Sequence, residues 1–245
     1  MKKIVIIGII ILLFGIVIYA NKSAVYNTGR NVLRSMNEKK VNSQKEDSDF
    51  VWGIDLSHHQ RRIDWDLLVA ENKPEFIFLK CSEGKTHQDT RFKEYREEAR
   101  KREILTGAYH FFSYQSSGKE QAENFIKNAD LKKGDLYPVL DIEYKKNRPS
   151  NSVIRKEVKE FCKVIKAKYG VNPIIYCEDD YYTNILKQDF EGYNYWISNL
   201  YREPRTDYVF WQYTERGEVK GIGKIDNNRM KQGLRIGDFV LSDFD

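Results

Sequence analysis

The sequence predicts an α/β fold: an irregular β/α barrel of the TIM type, short of outer helices in its C-terminal half and preceded by an N-terminal transmembrane or signal segment. In residues 51–245, short apolar runs alternate with amphipathic segments, which indicates a largely parallel sheet with helices outside it. About eight strand candidates in this length favour a closed barrel over an open sheet. The loops between the later strands are too short for full helices.

Residues 1–20 are predicted to be a signal peptide or a membrane anchor. Met1, Lys2 and Lys3 form a short positive start, and residues 4–20 contain no charged side chain. This run is longer than the roughly 7–15 apolar residues of a usual signal peptide, and it is at the short limit of about 17–25 for a spanning helix. We therefore expect export to the cell envelope. The rest of the chain would face the periplasm or exterior if anchored, or be secreted if the run is cleaved.

Residues 21–50 are polar and rich in Asn, Ser, Lys and Glu, so we expect a linker to a globular domain over residues 51–245. The net charge of +5 belongs mostly to the first fifty residues, which carry eight Lys or Arg against four acids. The other 195 residues carry 33 basic and 32 acidic side chains. Because no concentrated basic face is expected, nucleic acid is excluded as a partner.

Seven runs rich in Ile, Val, Phe, Tyr and Trp suit buried strands. They cover residues 51–56, 76–81, 104–112, 137–143, 173–177, 195–199 and 208–213. Asp64 is a candidate N-cap for the first helix. Residues 91–102 and 152–169 carry apolar side chains at helical spacing, and Gly170 ends the second of these helices.

No metal or cofactor site is predicted. His58 and His59 are adjacent and point apart, and no further His or Cys completes a ligand set. Cys81, Cys162 and Cys177 are odd in number and lie among apolar neighbours. We expect buried thiols, with at most one disulfide.

Acidic side chains predominate at the predicted carboxyl ends of the strands, where barrel proteins place functional groups. Asp141 and Glu143 give the strongest signal, since alternate strand residues share a face and their Cα atoms would lie about 6–7 Å apart. Two such carboxylates raise the pKa of one member and supply a general acid near neutral pH, as glycoside hydrolysis requires. Asp55, within an apolar strand, is aimed at the same mouth.

Other strand ends supply further candidates. Their polar members are Glu83, His110 and Asp226. Aromatic side chains near the same ends could stack against sugar rings, and they include Tyr109, Tyr176, Trp196 and Trp211.

Eight motifs in chain order resemble the muramidases of glycoside hydrolase family 25, lysozymes that cut the β-1,4 bond after N-acetylmuramic acid in peptidoglycan. They are Gly53-Ile-Asp-Leu-Ser57 with Ile63-Asp-Trp65, Phe78-Leu-Lys-Cys-Ser-Glu-Gly84, Gly107-Ala-Tyr-His-Phe-Phe112, Pro138-Val-Leu-Asp-Ile-Glu143, Pro173-Ile-Ile-Tyr176, Tyr195-Trp-Ile-Ser198, Phe210-Trp-Gln-Tyr213 and Gly221-Ile-Gly-Lys-Ile-Asp226. The resemblance covers Trp52 to about Asn228, nearly all of the predicted globular domain.

The resemblance implies a peptidoglycan hydrolase with an acidic groove and no cofactor. It implies that Glu143 is the general acid and that Asp141 orients the substrate's 2-acetamido group in a substrate-assisted retaining mechanism. Asp55 and Asp226 match the other two catalytic acids. Groove-lining matches are Tyr109, His110, Tyr176 and Trp211; Trp196 and Glu83 are added as substrate-binding candidates. The expected partners are peptidoglycan glycan strands and, if the apolar run is uncleaved, the membrane; a monomer is expected.

Two alternatives stay open. A chitinase-like N-acetylhexosaminide hydrolase also uses paired acids on a barrel strand, but the usual Asp-Gly-x-Asp-x-Asp-x-Glu pattern is not matched, because Tyr137 and Val139 stand at the two preceding positions. A non-catalytic, membrane-tethered peptidoglycan-binding protein would need a cause of inactivity, since all four acids are present.

Overall fold

The computed structural model of the chain describes residues 22–43 and 50–244. The predicted signal peptide or membrane anchor of residues 1–20 lies outside these ranges. Within them, no helix has both the length and the apolar character that crossing a membrane requires.

Eight strands close into a barrel, in the order β1-β9-β8-β7-β6-β5-β4-β2, with β2 returning to β1. Their bounds are β1 Trp52–Leu56, β2 Phe76–Glu83, β4 Leu105–Phe111, β5 Val139–Asp141, β6 Ile174–Glu178, β7 Tyr195–Ser198, β8 Phe210–Val219 and β9 Gly223–Met230. A short strand, β3 (His87–Gln88), pairs with the end of β2 outside this circuit. Six neighbouring strands and β1 run parallel, whereas β9 is antiparallel to both β8 and β1.

Aromatic side chains fill the amino-terminal half of the barrel interior. Phe78 contacts Trp196 and Phe210 at ring-centroid distances of 4.8 and 5.2 Å. Two glycines make room for this packing: a Cβ at Gly53 would lie 2.5 Å from the ring of Phe76, and the corresponding distance from Gly107 to Phe78 is 2.6 Å. The barrel is therefore closed at this end, so a ligand has access only from the carboxyl ends of the parallel strands.

The helices cover the outside of the sheet. Their bounds are α1 Lys22–Asn42, α2 Trp65–Asn72, α3 Phe92–Lys101, α4 Gly118–Ala129, α5 Asn151–Tyr169 and α6 Asp179–Tyr181, which continues into a π-helical turn at Tyr182–Leu186. Helices α3 and α5 confirm the predicted segments 91–102 and 152–169. Within residues 187–244, only one turn of 3₁₀ helix, Ile236–Phe239, occurs. The prediction of few outer helices in the C-terminal half is therefore confirmed.

Local sequence signals explain several helix ends. Asp64 caps α2 as predicted, its side chain accepting a hydrogen bond of 3.0 Å from the backbone of Leu67. Ser117 and Glu120 form a reciprocal capping box at the start of α4. Gly170 ends α5 with a left-handed φ of 73°.

The linker prediction is corrected for residues 22–42, which form helix α1. Asn37 and Val41 recur on the face that meets the barrel, and Val41 is only 2% exposed. The amide of Asn37 donates to the carbonyl of Tyr213, and Arg34 pairs with Glu215 at 2.7 Å. The polar composition does exclude a separate hydrophobic core in this segment. The helix is instead stabilised by packing a narrow stripe of its residues against the surface of the barrel.

Candidate active site

A cavity of about 450 Å³ opens at the carboxyl ends of the parallel strands. Eight of the ten predicted site residues lie in its lining. In full, these eight are Asp55, Glu83, Tyr109, Asp141, Glu143, Tyr176, Trp196 and Asp226. A larger cavity, of about 1020 Å³, shares Glu143, Tyr176, Gln212 and Glu215 with the first, so the two form one groove.

The end of β5 presents two carboxyl groups to the groove. Asp141 is the last residue of β5, and the chain stays extended beyond it, because the backbone N–H of Ile142 donates to the carbonyl of Tyr176 at 3.0 Å. Ile142 is fully buried in the layer between sheet and helices. Glu143 therefore returns to the same face as Asp141, as alternation along the strand predicted.

A second carboxyl pair joins the first strand of the barrel to the last. Asp55 lies on β1, and pairing of Ile54 with Asn227 sets Asp226 beside it. The two carboxyl groups share a hydrogen bond. Asp226 was predicted at a strand end; it lies within β9, whose amino-terminal half reaches the mouth because the strand is antiparallel.

Amide groups decide which member of the second pair ionises first. Oδ2 of Asp55 accepts hydrogen bonds from Asn228 at 2.8 Å and Gln212 at 3.2 Å, which stabilise its anion. Burial nevertheless raises the pKa of Asp55 to about 6. Burial and the neighbouring Asp55 raise the pKa of Asp226 to about 9. At neutral pH the shared proton therefore resides on Asp226.

The first pair is also held towards its protonated form. Burial and the charge of Glu143 raise the pKa of Asp141 well above its usual value. Burial raises the pKa of Glu143, while Lys145 and Lys80 oppose that rise. Oδ1 of Asp141 is buried and has no hydrogen-bond partner in the described part of the chain. A buried, unpartnered carboxylate oxygen beside a groove is a candidate acceptor for a ligand N–H.

A β-bulge explains how Lys80 and Glu83 come to face the same groove. Lys80 pairs with Tyr109, but the next partners are Ser82 and His110, so the register shifts by one residue. Lys80 and Glu83 thus form an ion pair at 2.7 Å. Lys80 was not predicted as a site residue, although a lysine within the apolar strand Phe76–Glu83 indicates a functional position.

Three aromatic side chains lie at the base of the groove, and two of them hold the amides around Asp55 by hydrogen bonds. The hydroxyl of Tyr176 donates to Gln212 at 2.8 Å, and the indole N–H of Trp196 donates to Asn228 at 2.9 Å. Tyr109 completes this layer and is 8% exposed. Gln212 and Asn228, which sequence analysis did not assign to the site, are held here in the orientation that serves Asp55.

Two predicted substrate-binding residues are corrected, because they lie on the outer face of the sheet. His110 is fully buried against Phe161, and its ring nitrogens contact Ser82 at 2.8 Å and Gln121 at 3.2 Å. Burial lowers the pKa of His110 to about 4, so the ring is neutral. Tyr109 on β4 and Gln212 on β8 point into the barrel. Because successive side chains of a strand alternate between its faces, the neighbouring residues His110 and Trp211 point outward.

Trp211 is the corresponding case on β8. Its indole N–H donates to the carbonyl of Asn199 at 2.8 Å, and its ring contacts Tyr213 at 5.9 Å in the outer layer. It does not line either cavity. Among residues 22–43 and 50–244, no cluster of three or more His, Cys, Asp or Glu side chains is arranged to hold a metal ion.

A barrel with paired, buried carboxyl groups of raised pKa in an aromatic-based groove has the arrangement of a glycoside hydrolase. The sequence model of glycosyl hydrolases family 25 matches residues 54–222, and the chain belongs to this family. The resemblance to family 25 muramidases is thereby confirmed. Helix α1 and strand β9 lie outside the matched stretch.

Individual proteins and one solved structure are also similar to this chain. The uncharacterised protein YegX of Escherichia coli K12 is 35% identical over 187 residues, which cover 73% of this chain and 68% of YegX. Lysozyme M1 of Streptomyces globisporus is 29% identical over 203 residues, or 75% of this chain and 68% of that protein. The structure of a family 25 glycosyl hydrolase from Bacillus anthracis has a TM-score of 0.69 and 31% identity, covering 75% of this chain and 90% of the other.

Proposed function

We propose that this enzyme hydrolyses the β-1,4 bond between N-acetylmuramic acid and N-acetylglucosamine in peptidoglycan, with Glu143 as general acid. One observation carries the assignment: Glu143 lies where the two cavities meet, and burial keeps its pKa above the usual value of a glutamate. A raised pKa keeps a carboxylic acid protonated to a higher pH, which favours donation of its proton to the leaving glycosidic oxygen.

Asp141 is assigned the partner role in a substrate-assisted, retaining mechanism. Its unpartnered Oδ1 would accept the N–H of the substrate's 2-acetamido group. The acetamido oxygen attacks the anomeric carbon while the glycosidic C–O bond breaks and Glu143 protonates the leaving oxygen. Water then attacks the anomeric carbon, returning its proton to Glu143 and reopening the cyclic intermediate with net retention.

Asp55 and Asp226 are assigned an electrostatic role. The Asp55 anion, held by the amides of Gln212 and Asn228, faces the groove in which positive charge develops on the sugar. Asp226 holds the shared proton and fixes the orientation of Asp55. Replacing Asp55 with Asn should therefore lower kcat more than it raises KM.

The test uses purified full-length protein and a cell-wall suspension. Wild-type protein should clear the suspension and release fragments with reducing muramic acid ends. Glu143→Gln should lose about 10²–10⁴ in rate while still binding, as expected for losing a general acid. The control is Glu123→Gln, since Glu123 is an exposed residue of α4 outside both cavities.

Other outcomes identify the two alternatives. Wild-type protein that binds the wall but releases nothing would indicate a non-catalytic glycan-binding protein. Release from chitin in preference to peptidoglycan would indicate a chitinase-like enzyme. Full activity of Glu143→Gln would overturn the assignment of the general acid.

We also propose that residues 1–20 direct export and hold the enzyme at the cell envelope, where its substrate lies. The support is the uncharged run 4–20 after Lys2 and Lys3. Mass spectrometry of the mature protein decides between the two forms: an N-terminus near Asn21 indicates cleavage, and retention of Met1 indicates an anchor. The groove is built within one chain, which supports a monomer, to be checked by light scattering.

A further inference from the structure

Helix α1 contributes a wall to the substrate groove, although it lies outside the stretch that matches the family. Arg30 and Arg34 of α1 line the larger cavity. This cavity adjoins the smaller one, which contains the four acids, and Glu143 lines both. A ligand occupying the groove beyond Glu143 therefore meets two guanidinium groups supplied by this helix.

The two arginines have different surroundings. Arg34 forms an ion pair with Glu215 at 2.7 Å, so its charge is compensated and it helps to dock the helix. Arg30 donates a hydrogen bond to the hydroxyl of Tyr201 and lies over the same ring at 5.2 Å. Among the described residues Arg30 has no carboxylate within ion-pair distance, although its charge opposes the rise in the pKa of Glu178, which lines the same cavity. Because no carboxylate contacts its guanidinium group directly, a ligand carboxylate can bind there.

Among the acids that line the same cavity, Asp179 is engaged by other residues. Asp179 accepts hydrogen bonds from Asn199 at 3.0 Å and Thr206 at 2.7 Å, and Arg202 lies 3.8 Å from it. Arg30 lines the same cavity and lies against the ring of Tyr201. A planar guanidinium held in this way offers two parallel N–H donors, which match a carboxylate.

We propose that Arg30 binds a carboxylate of the peptide stem carried by muramic acid, so that this enzyme prefers glycan strands whose stem peptides carry free carboxylates to strands in which those carboxylates are neutralised. The inference rests on the proposed peptidoglycan hydrolase activity. Stem peptides project from the glycan and carry free carboxylates, whereas the N-acetylglucosamine units of the strand are uncharged. Arg34 acts as a positioning residue, because its ion pair with Glu215 holds the helix that presents Arg30.

The test compares full-length wild-type protein with Arg30→Gln on two substrates. One is peptidoglycan with free stem-peptide carboxylates; the other is the same material after a carbodiimide and ammonia have converted those carboxylates to amides. On untreated material Arg30→Gln should lose about tenfold in kcat/KM, mainly through KM, which is the effect expected for losing one charge-assisted hydrogen bond. On amidated material the variant should match wild type. Lys39→Gln, on the exposed side of the same helix and outside both cavities, is the control.

Arg30→Lys separates charge from geometry. It keeps the charge and loses the paired donors, so an intermediate KM on untreated material is expected. Equal loss on both substrates, or no loss on untreated material, would overturn the inference. Wild-type protein that cleaves neither substrate would instead overturn the proposed function, so the two failures are distinguishable.

Discussion

Glu143 sits between opposing influences, and the balance sets the pH range in which it can donate a proton. Burial raises its pKa, whereas Lys145 and the buried Lys80 lower it. Both ammonium groups also lie over the ring of Phe111, at 4.1 and 4.5 Å. The lysines therefore keep the general acid from becoming too weak to donate.

Lys80→Met should move the alkaline limb of the pH–rate profile to higher pH. The substitution removes a cation that lowers the pKa of Glu143 and leaves the anion of Glu83, which raises it, without its ion-pair partner. Glu143 then stays protonated at a higher pH. The measurement is kcat against pH on a soluble muropeptide. Lys146→Met, one residue beyond Lys145 and exposed, is the control, and a limb that stays in place or moves to lower pH would contradict the prediction.

Asp226→Asn should make the folded protein more stable at neutral and alkaline pH. The folded-state pKa of Asp226, about 9, is raised from 3.8, so the folded state binds this proton more tightly than the unfolded state. The free energy of unfolding of the wild-type protein therefore falls as pH rises from about 4 to 9. The variant has no ionisable group at this position, so its stability does not fall for this reason. Tm at pH 8 should rise by several degrees, at about 2–4 °C per kcal/mol for a chain of this size.

The gain should disappear below about pH 4, where both states of the wild type are protonated. Asp207→Asn is the control of opposite sign, since Lys231 lowers the pKa of Asp207. It should give no gain at any pH. A gain for Asp226→Asn that is independent of pH would point to packing instead of ionisation.

At the scale of elements, the packing at the amino-terminal end of the barrel, its floor, requires a residue without a side chain at position 53, where β1 lies against Phe76 of β2. Gly53→Ala should destabilise the protein by about 1–3 kcal/mol, because the new methyl group would overlap the ring of Phe76 and force the floor to repack. Urea unfolding measures the loss. Gly29→Ala in α1 is the control, since a Cβ there meets no atom within 4 Å, and equal effects at both positions would contradict the packing argument.

Helix α1 should open independently of the barrel. Val41→Asp places a carboxylate at a position that is 2% exposed, so the helix should detach while the sheet stays intact. Hydrogen exchange should show loss of protection over residues 22–42 and unchanged protection in β2 and β4. Leu33→Asp, at a position that is 53% exposed on the same helix, should change neither. Exchange that accelerates throughout the barrel would show instead that α1 and the barrel unfold together.

Apolar runs predicted the parallel strands, because those strands are buried on both faces and nearly every residue is apolar. Strand β9 was not predicted as a strand, since its residues Asp226, Asn227 and Asn228 serve the polar mouth and leave no apolar run. The docking of α1 depends on a surface that forms only when the barrel is closed. His110 could have been excluded from the groove by the alternation that placed Asp141 and Glu143 correctly.

At the scale of the whole molecule, all three thiols are sealed inside the fold. Cys81, Cys162 and Cys177 are free and buried, and burial raises the pKa of Cys81 and of Cys162 to about 12. We therefore expect no rapid reaction of the native protein with a disulfide reagent, and three reactive thiols per chain in guanidinium chloride. Fewer than three in the denatured, unreduced protein would show that a disulfide had formed.

The barrel is closed by the pairing of its first strand with its last, and this order has a consequence for biosynthesis. Asp55 is made early and Asp226 late, so the hydrogen bond between them joins distant parts of the chain. A nascent chain that ends before β9 has an open barrel and three of the four acids. We therefore expect a chain that ends before Gly223 to be inactive, although it carries Asp55, Asp141 and Glu143.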